Sequence, residues 1–431
     1  MGALLQARIR EASVSRSALA AVLVISGCWA PESAAAGGLK AKRGPASTPL
    51  VACTIAPLAL TPTFATPEAR TETAADDEDD EEDEDEDEDE TSSGFRLPGE
   101  GTCVAVTASL NSSVQYARQK APAALKSQAS DPTSFLWMAT IGLRSSTVAS
   151  DGTRVDAKLA ILFQPPSDST PGIDLKEASI AIGPWIAGFA PSVFNFWTGD
   201  EFLFGTRVPA RSGYQLARKW QLTETWSATA ALEDTQSAST VPTSTAAAMA
   251  PPPRVPDVVG RVRYEGDSLE AHLAGAVTEL PSASPGGASR WGRAALAGAS
   301  WSLELLGRKH TLTGQAAWAF DAPVYLGTQT DLRVVRSILG VGDTTRGVSG
   351  AIAWSTEWSD TVSFNLYASH LRLDFPKLGL NGGRAELSRG AANVVWMPAK
   401  GFRIGAEAGL SRAKLDLPGR LIANDPSGKQ V

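Results

Sequence analysis

The sequence predicts an all-β chain, a transmembrane antiparallel β-barrel of about sixteen strands, fourteen of them countable, behind a disordered acidic N-terminal segment. Three observations carry this expectation. From about Gly94 onward, apolar and polar residues alternate with a period of two along many short segments, the pattern of a strand with one greasy and one wet face. The N-terminus has the build of an export signal. Charges of both signs recur on the wet faces and tryptophans recur along the segments, as expected where the greasy face meets lipid and the wet face lines water.

Taken in chain order, Arg8, Arg10 and Arg16 precede the apolar run Ala18-Leu-Ala-Ala-Val-Leu-Val-Ile25 and the small-residue tract Ser33-Ala-Ala-Ala-Gly37. That order marks residues 1–36 as a secretory signal peptide, cleaved near Ala36. Ile25-Ser-Gly-Cys28 also matches a lipoprotein-processing box, the alternative in which Cys28 becomes a lipidated N-terminus. If Cys28 leaves with the signal, Cys53 and Cys103 remain in an oxidising compartment, and one disulfide is the simple expectation.

Residues 37–93 form the next region. Asp76 to Glu90 is an unbroken run of fifteen acidic residues, so a formal net charge of -8 leaves the rest of the chain at +7. Like charges at this density repel and bury no apolar area, which predicts a disordered, solvated segment. Divalent cations or a basic partner are its candidate ligands, held loosely, because no calcium-loop spacing is present.

Residues 94–431 form the strand-rich body. In Thr153 to Gln164 one face carries Val155, Ala157, Leu159, Ile161 and Phe163, and the other Arg154, Asp156, Lys158 and Gln164. The same reading holds for Trp226/Ala228/Ala230/Leu232, for Leu269/Ala271/Leu273/Gly275/Val277 facing Glu270 and His272, and for Leu312/Gly314/Ala316/Trp318/Phe320. Phe402/Ile404/Ala406/Ala408/Leu410 stand opposite Arg403 and Glu407. From Thr361 to Phe375 the apolar set switches face, from Val362, Phe364 and Leu366 to Leu371, Leu373 and Phe375, which predicts a bulge near Ser369-His370. Asp331 to Gly340 is a weak further strand. Proline- and glycine-rich stretches at 165–172, 281–287 and 381–383 separate these segments, and residues 235–256 read as a long exposed loop. Trp185, Trp220, Trp301 and Trp396 are candidates for interfacial girdles.

No stretch approaches the roughly 20 apolar residues of a membrane-spanning helix, which excludes a helical membrane protein. The sequence has no Gly-x-Ser-x-Gly elbow, His-Glu-x-x-His motif or phosphate loop, and His272 and His310 lie in separate strands without a nucleophile nearby. Catalysis, a cofactor, a metal centre and a nucleic-acid partner are therefore not expected.

Two segments resemble the alphaproteobacterial porins, the general diffusion porins of the porin type 2 family. Gly94-Phe-Arg-Leu-Pro-Gly-Glu-Gly-Thr-Cys103 after an earlier cysteine is similar to the start of their mature chains. Ala187-Gly-Phe-Ala-Pro-Ser-Val-Phe-Asn-Phe-Trp197-Thr-Gly-Asp-Glu-Phe-Leu-Phe-Gly205 resembles their segment running into an inward-folded loop, and Pro256 to Tyr264 with Ala271 to Val277 is a weaker match. The resemblance implies a homotrimeric outer-membrane pore for small hydrophilic solutes and ions. In such a pore, acids on the loop face bases on the wall and set a transverse field. Carried over, the loop acids are Asp200 and Glu201, with Arg207 and Arg211 at the loop's end. The facing pattern offers Lys219, beside Gln215 and Gln221, together with Arg154, Lys158 and Arg403, as wall bases. The chain departs from the family in two places: the acidic run lies between the cysteines, and the C-terminus reads Asp425-Pro-Ser-Gly-Lys-Gln-Val431 where family barrels end on a strand with a terminal aromatic. The alternative function is a membrane-anchored adhesion or surface-binding protein that uses the acidic run and the long loops.

Overall fold

A computed structural model of the chain describes residues 18–29, 51–55, 92–97, 101–118, 133–165, 172–197, 209–234, 254–280, 289–327, 345–375 and 382–416. The strands are β1 (Ala18–Trp29), β2 (Val51–Ile55), β3 (Ser92–Arg96), β4 (Cys103–Arg118), β5 (Thr133–Val148), β6 (Arg154–Phe163), β7 (Ile173–Ile182), β8 (Trp185–Pro191) and β9 (Ser212–Gln221). They continue as β10 (Trp226–Glu233), β11 (Asp257–Glu265), β12 (Leu269–Leu280), β13 (Arg290–Leu305), β14 (Arg308–Phe320), β15 (Arg346–Ser359), β16 (Val362–Phe375), β17 (Gly383–Ala399) and β18 (Phe402–Asp416). A short 3-10 turn, η1, spans Pro323–Leu326.

Each strand from β4 to β18 pairs antiparallel with the next. β1 pairs with β18 on one side and β4 on the other, so the pairing returns on itself as a ring of sixteen strands. A ring satisfies every backbone donor and acceptor within lipid, which an open sheet cannot do. β1 is the stretch whose composition reads as the signal's apolar core. A chain cleaved near Ala36 would leave β18 and β4 without it.

The connections alternate in length. β5 to β6, β7 to β8, β13 to β14, β15 to β16 and β17 to β18 are joined by turns of two to five residues, whereas 119–132, 198–208, 235–253 and 328–344 fall in the connections at the other end. Short turns at one end and long loops at the other match the periplasmic and external ends of an outer-membrane barrel.

The greasy faces turn outward: Leu159, Leu216, Leu232, Leu273, Val277, Ile352 and Leu410 are all exposed. Trp185, Trp220, Trp226, Trp301, Trp354 and Trp396 ring the wall near the short turns, while Trp137, Trp291 and Trp318 lie near the long loops. Trp301 and Trp291 sit ten residues apart on β13. At about 3.4 Å per residue and a tilt near 45°, they bracket a band roughly 24 Å tall, the height of a barrel's apolar belt. The Arg218 guanidinium lies over Trp185 and Trp220 at 5.1 and 5.2 Å, a cation at the girdle's edge.

The switch of apolar face in β16 has a different cause from the expected bulge. Register is continuous from Phe364 to Asp374, and the irregularity in this pair lies between Glu357 and Ser359. Leu371 and Leu373 point inward, into an apolar cluster that fills part of the lumen. The weak strand at 331–340 and the acidic run 76–90 lie outside the described residues.

At the short-turn end, β2 and β3 form a hairpin alongside β4. Cys53 and Cys103 are joined in a disulfide with Cα atoms 6.0 Å apart, and Ile55 packs beside Cys103 and Ala105.

Candidate functional site

The interior is built from the wet faces of the strands and from one segment that turns in after β8. Residues 192–197, Ser-Val-Phe-Asn-Phe-Trp, are buried throughout. Polar groups hold their start. The Ser192 hydroxyl donates to the Glu233 carboxylate at 2.7 Å, and the Val193 N–H donates to the same carboxylate at 2.9 Å. The Asn195 amide donates to the Arg211 carbonyl at 2.7 Å, while its oxygen accepts the Arg211 N–H at 3.2 Å.

Rings hold the segment's length. Phe194 meets Tyr325 edge-on with centroids 4.8 Å apart, Phe196 lies 5.2 Å from the His272 ring, and Trp197 stacks on Tyr367 at 6.3 Å. Gly298 faces His272 across β12 and β13, and a side chain at Gly298 would occupy the volume of the Phe196 ring. Gln315 closes the far end, donating to the Trp197 carbonyl at 2.7 Å and accepting the Trp197 N–H at 3.3 Å. Small wall residues, Ala217, Ala231, Ala274, Ala317 and Ala351, leave room for these rings, so an apolar core forms inside the ring of strands.

Beneath the segment, Asp257 is fully buried. Its Oδ2 takes the Arg211 guanidinium at 2.9 Å and the Tyr325 hydroxyl at 2.7 Å, while Arg211 also donates to the Asp234 carbonyl at 2.8 Å. Burial pushes the Tyr325 phenol well above its ordinary range, so it keeps the proton it donates. This cluster ties η1, β11 and the start of β9 to the inward segment.

The filled side is β9 to β16. On β4 to β6 the inward residues Ser109, Asn111, Thr140, Arg144 and Lys158 are half-buried and Thr107 is exposed, a wall that faces water. There the Lys158 Nζ lies 2.8 Å from Glu177, Lys158 stands in register with Arg144, and the Arg154 Nε lies 2.9 Å from Asp156. Arg403 sits on β18, at the short-turn end and on the inward face with Glu407. Lys219 lies inward on β9 with Gln215, opposite Thr229, which in turn faces Arg261. Arg261 donates to Thr229 at 3.3 Å, and Arg263 is held between Glu265 at 3.1 Å and Glu270.

The proposed wall bases are thus spread over three places: Arg154 and Lys158 together, Lys219 beside Arg261, and Arg403 alone on β18. Arg211 is a buried anchor, and Asp200, Glu201 and Arg207 lie outside the described residues. Sequence reasoning missed Arg144, Arg261 and Arg263, although the alternation of Val258, Gly260 and Val262 already puts the latter two on a wet face. Tyr325, Glu233 and Asp257 gave no comparable signal, because each acts across 40 residues or more. Among the described residues no group of three or more His, Cys, Asp or Glu side chains could hold a metal ion.

Residues 92–410 match the model of a family described as the porin subfamily. Among solved structures, the chain is similar to the outer-membrane channel DcaP of Acinetobacter baumannii, with a TM-score of 0.57 and 13% identity over 75% of this chain and 99% of that one. An anion-selective porin from Comamonas acidovorans aligns at a TM-score of 0.39 and 13% identity, over 72% and 99% of the two chains. No curated protein matches the sequence.

Proposed function

From the premise that this chain belongs to the porin subfamily, an outer-membrane channel by family, we propose that it passes small hydrophilic molecules and ions by passive diffusion. The observation that carries this reading is the asymmetric interior. An inward segment packs against β9 to β16, and the facing wall on β4 to β6 keeps polar and charged residues half-exposed. Solutes then cross between the segment and Thr107, Asn111, Thr140, Arg144 and Lys158, where narrowness limits size and the fixed charges bias sign. Asp200, Glu201 and Arg207 on the continuation of the segment, with Arg154, Lys158, Lys219 and Arg403 on the wall, complete the charged constriction in this proposal.

The protomers assemble as a homotrimer, and residues 1–36 direct export and are removed. Support for removal comes from Ala18 to Ile25, which has no polar residue at either alternating position, unlike β6, β12 or β18. Intact mass of protein extracted from membranes decides this: a chain starting near Gly37 supports removal, and a full-length chain retains β1 as a stave. The surface-binding alternative gains nothing from the geometry. Ile55 and Ser92, which flank the segment containing the acidic run, pair with each other at the short-turn end, away from the long loops.

The test is conductance of the refolded protein in planar lipid bilayers. Ohmic steps in groups of three support a trimeric diffusion pore. Protein that inserts but stays silent overturns it.

A further inference from the structure

The outer wall carries a feature that a diffusion pore does not need. On β16, β17 and β18 the outward positions near the long loops form a grid of three rows: His370, Ser388 and Arg412; Arg372, Glu386 and Lys414; Asp374, Arg384 and Asp416. The inward neighbours Leu371 and Leu373 are buried in the lumen core, with Ala385 and Leu387 packed against it, so the grid is on the face that meets lipid.

Its height follows from the girdles. Trp396 marks the short-turn boundary on β17, and ten residues along the same strand is Glu386. That is the spacing that separates Trp301 from Trp291 on β13, so the middle row lies at the loop-side edge of the apolar belt. Below the first row come Ala368, Gly390 and Leu410, and above the third the strands end. A ligand resting there has a charged end at the grid and an apolar end on the belt.

The four cations Arg372, Arg384, Arg412 and Lys414 exceed the three carboxylates Asp374, Glu386 and Asp416 by one charge. Asp374 is used internally, accepting from Arg372 at 2.9 Å and Arg384 at 2.7 Å, and Glu386 lies 3.8 Å from Arg384. His370 Nδ1 and the Ser388 hydroxyl are hydrogen-bonded at 2.9 Å. Arg412 and Lys414, adjacent on the same face of β18, make no ion pair among the described residues, although Lys414 stands in register with Glu386. Cationic side chains on a lipid-facing wall are costly at the bilayer centre and nearly neutral at its edge, where they attract anionic headgroups.

We propose that Arg412 and Lys414 bind the phosphate of an anionic membrane lipid in the loop-side leaflet. The lipid's acyl chains lie along Ala368, Gly390 and Leu410. This site is independent of conduction, since none of its residues faces the lumen.

The experiment uses the full refolded chain in neutral detergent and native mass spectrometry with three probes: phosphatidylglycerol, phosphatidylcholine and inorganic phosphate. Phosphatidylglycerol should be retained in preference to the other two. The variant Arg412→Gln with Lys414→Gln should weaken that retention by roughly thirty-fold, the product of two surface cations. Arg308→Gln, at the short-turn girdle, should leave it unchanged. Single-channel conductance of the double variant should match the wild type, which shows that the barrel has folded. Equal retention of phosphatidylcholine, retention of free phosphate at the level of the lipid, or undiminished phosphatidylglycerol binding in the double variant would overturn the proposal. So would loss of protomer association with lipid binding intact, which would assign the grid to contact between copies.

Discussion

Replacing Arg211 with Met tests whether the buried ion pair under the inward segment keeps that segment docked. Asp257 is 0% exposed and takes two donors on Oδ2, Arg211 at 2.9 Å and Tyr325 at 2.7 Å. Without the guanidinium, the carboxylate keeps one of them. Breaking a buried pair from one side costs about 3–5 kcal/mol, because the remaining charge is stranded. At about 1.4 kcal/mol per factor of ten, the undocked state gains between roughly a hundred-fold and a few thousand-fold in weight. Arg211 also fixes Asn195 through its backbone, so the loss is felt where the segment leaves the wall. Single-channel recordings should show it as added flicker and a broadened conductance histogram. The double variant Arg211→Met with Asp257→Asn removes the stranded charge and keeps an acceptor for Tyr325, and it should recover most of the quiet behaviour. A single variant as quiet as the wild type, or a double variant as noisy as the single one, would refute the reasoning.

Three further outcomes follow from the geometry. Gly298→Val places methyls in the volume of the Phe196 ring; overpacking of this kind costs about 1–3 kcal/mol, and unit conductance should change, whereas an unchanged conductance means that Phe196 does not seat there in the working pore. Removing the disulfide by Cys103→Ala releases a closure of 50 residues, worth up to about 4 kcal/mol in the chain-entropy account, and should lower the urea midpoint of the variant relative to the oxidised protein. Lys158→Glu puts a second carboxylate beside Glu177, 2.8 Å from the present ammonium; the reversal potential in a salt gradient should move toward cation preference, and a fixed reversal potential would take Lys158 off the solute path.

Much of the wall was legible because its cause is local. Strand pleat puts residues 155, 157 and 159 on one side and 154, 156 and 158 on the other whatever the rest of the chain does, and the same arithmetic assigned Lys219 to the inside with Gln215. The expected bulge in β16 shows where that logic stops. Leu371, Leu373 and Phe375 read as a greasy outer face, since period-two patterning reports only that one side is apolar. It does not say whether that side meets lipid or a folded-in segment. The Cys53 to Cys103 link was legible from the two cysteines that remain after the export signal in an oxidising compartment, and the inward turn after Ala187 through family resemblance.

By itself, then, the sequence determined which residues share a face along most strands, and set apart an apolar N-terminal stretch without alternation. Tertiary structure decided which faces became interior core. Arg211, Glu233, Asp257, Gln315 and Tyr325 come together over separations of 40 to more than 100 residues, through ring closure and one inward turn. The grid of Arg372, Arg384, Arg412 and Lys414 likewise exists only once three strands are in register. Two-residue turns set the register of β15 with β16 and of β17 with β18 locally, whereas β16 and β17 are joined by a longer connection and their register is settled by the pairing itself.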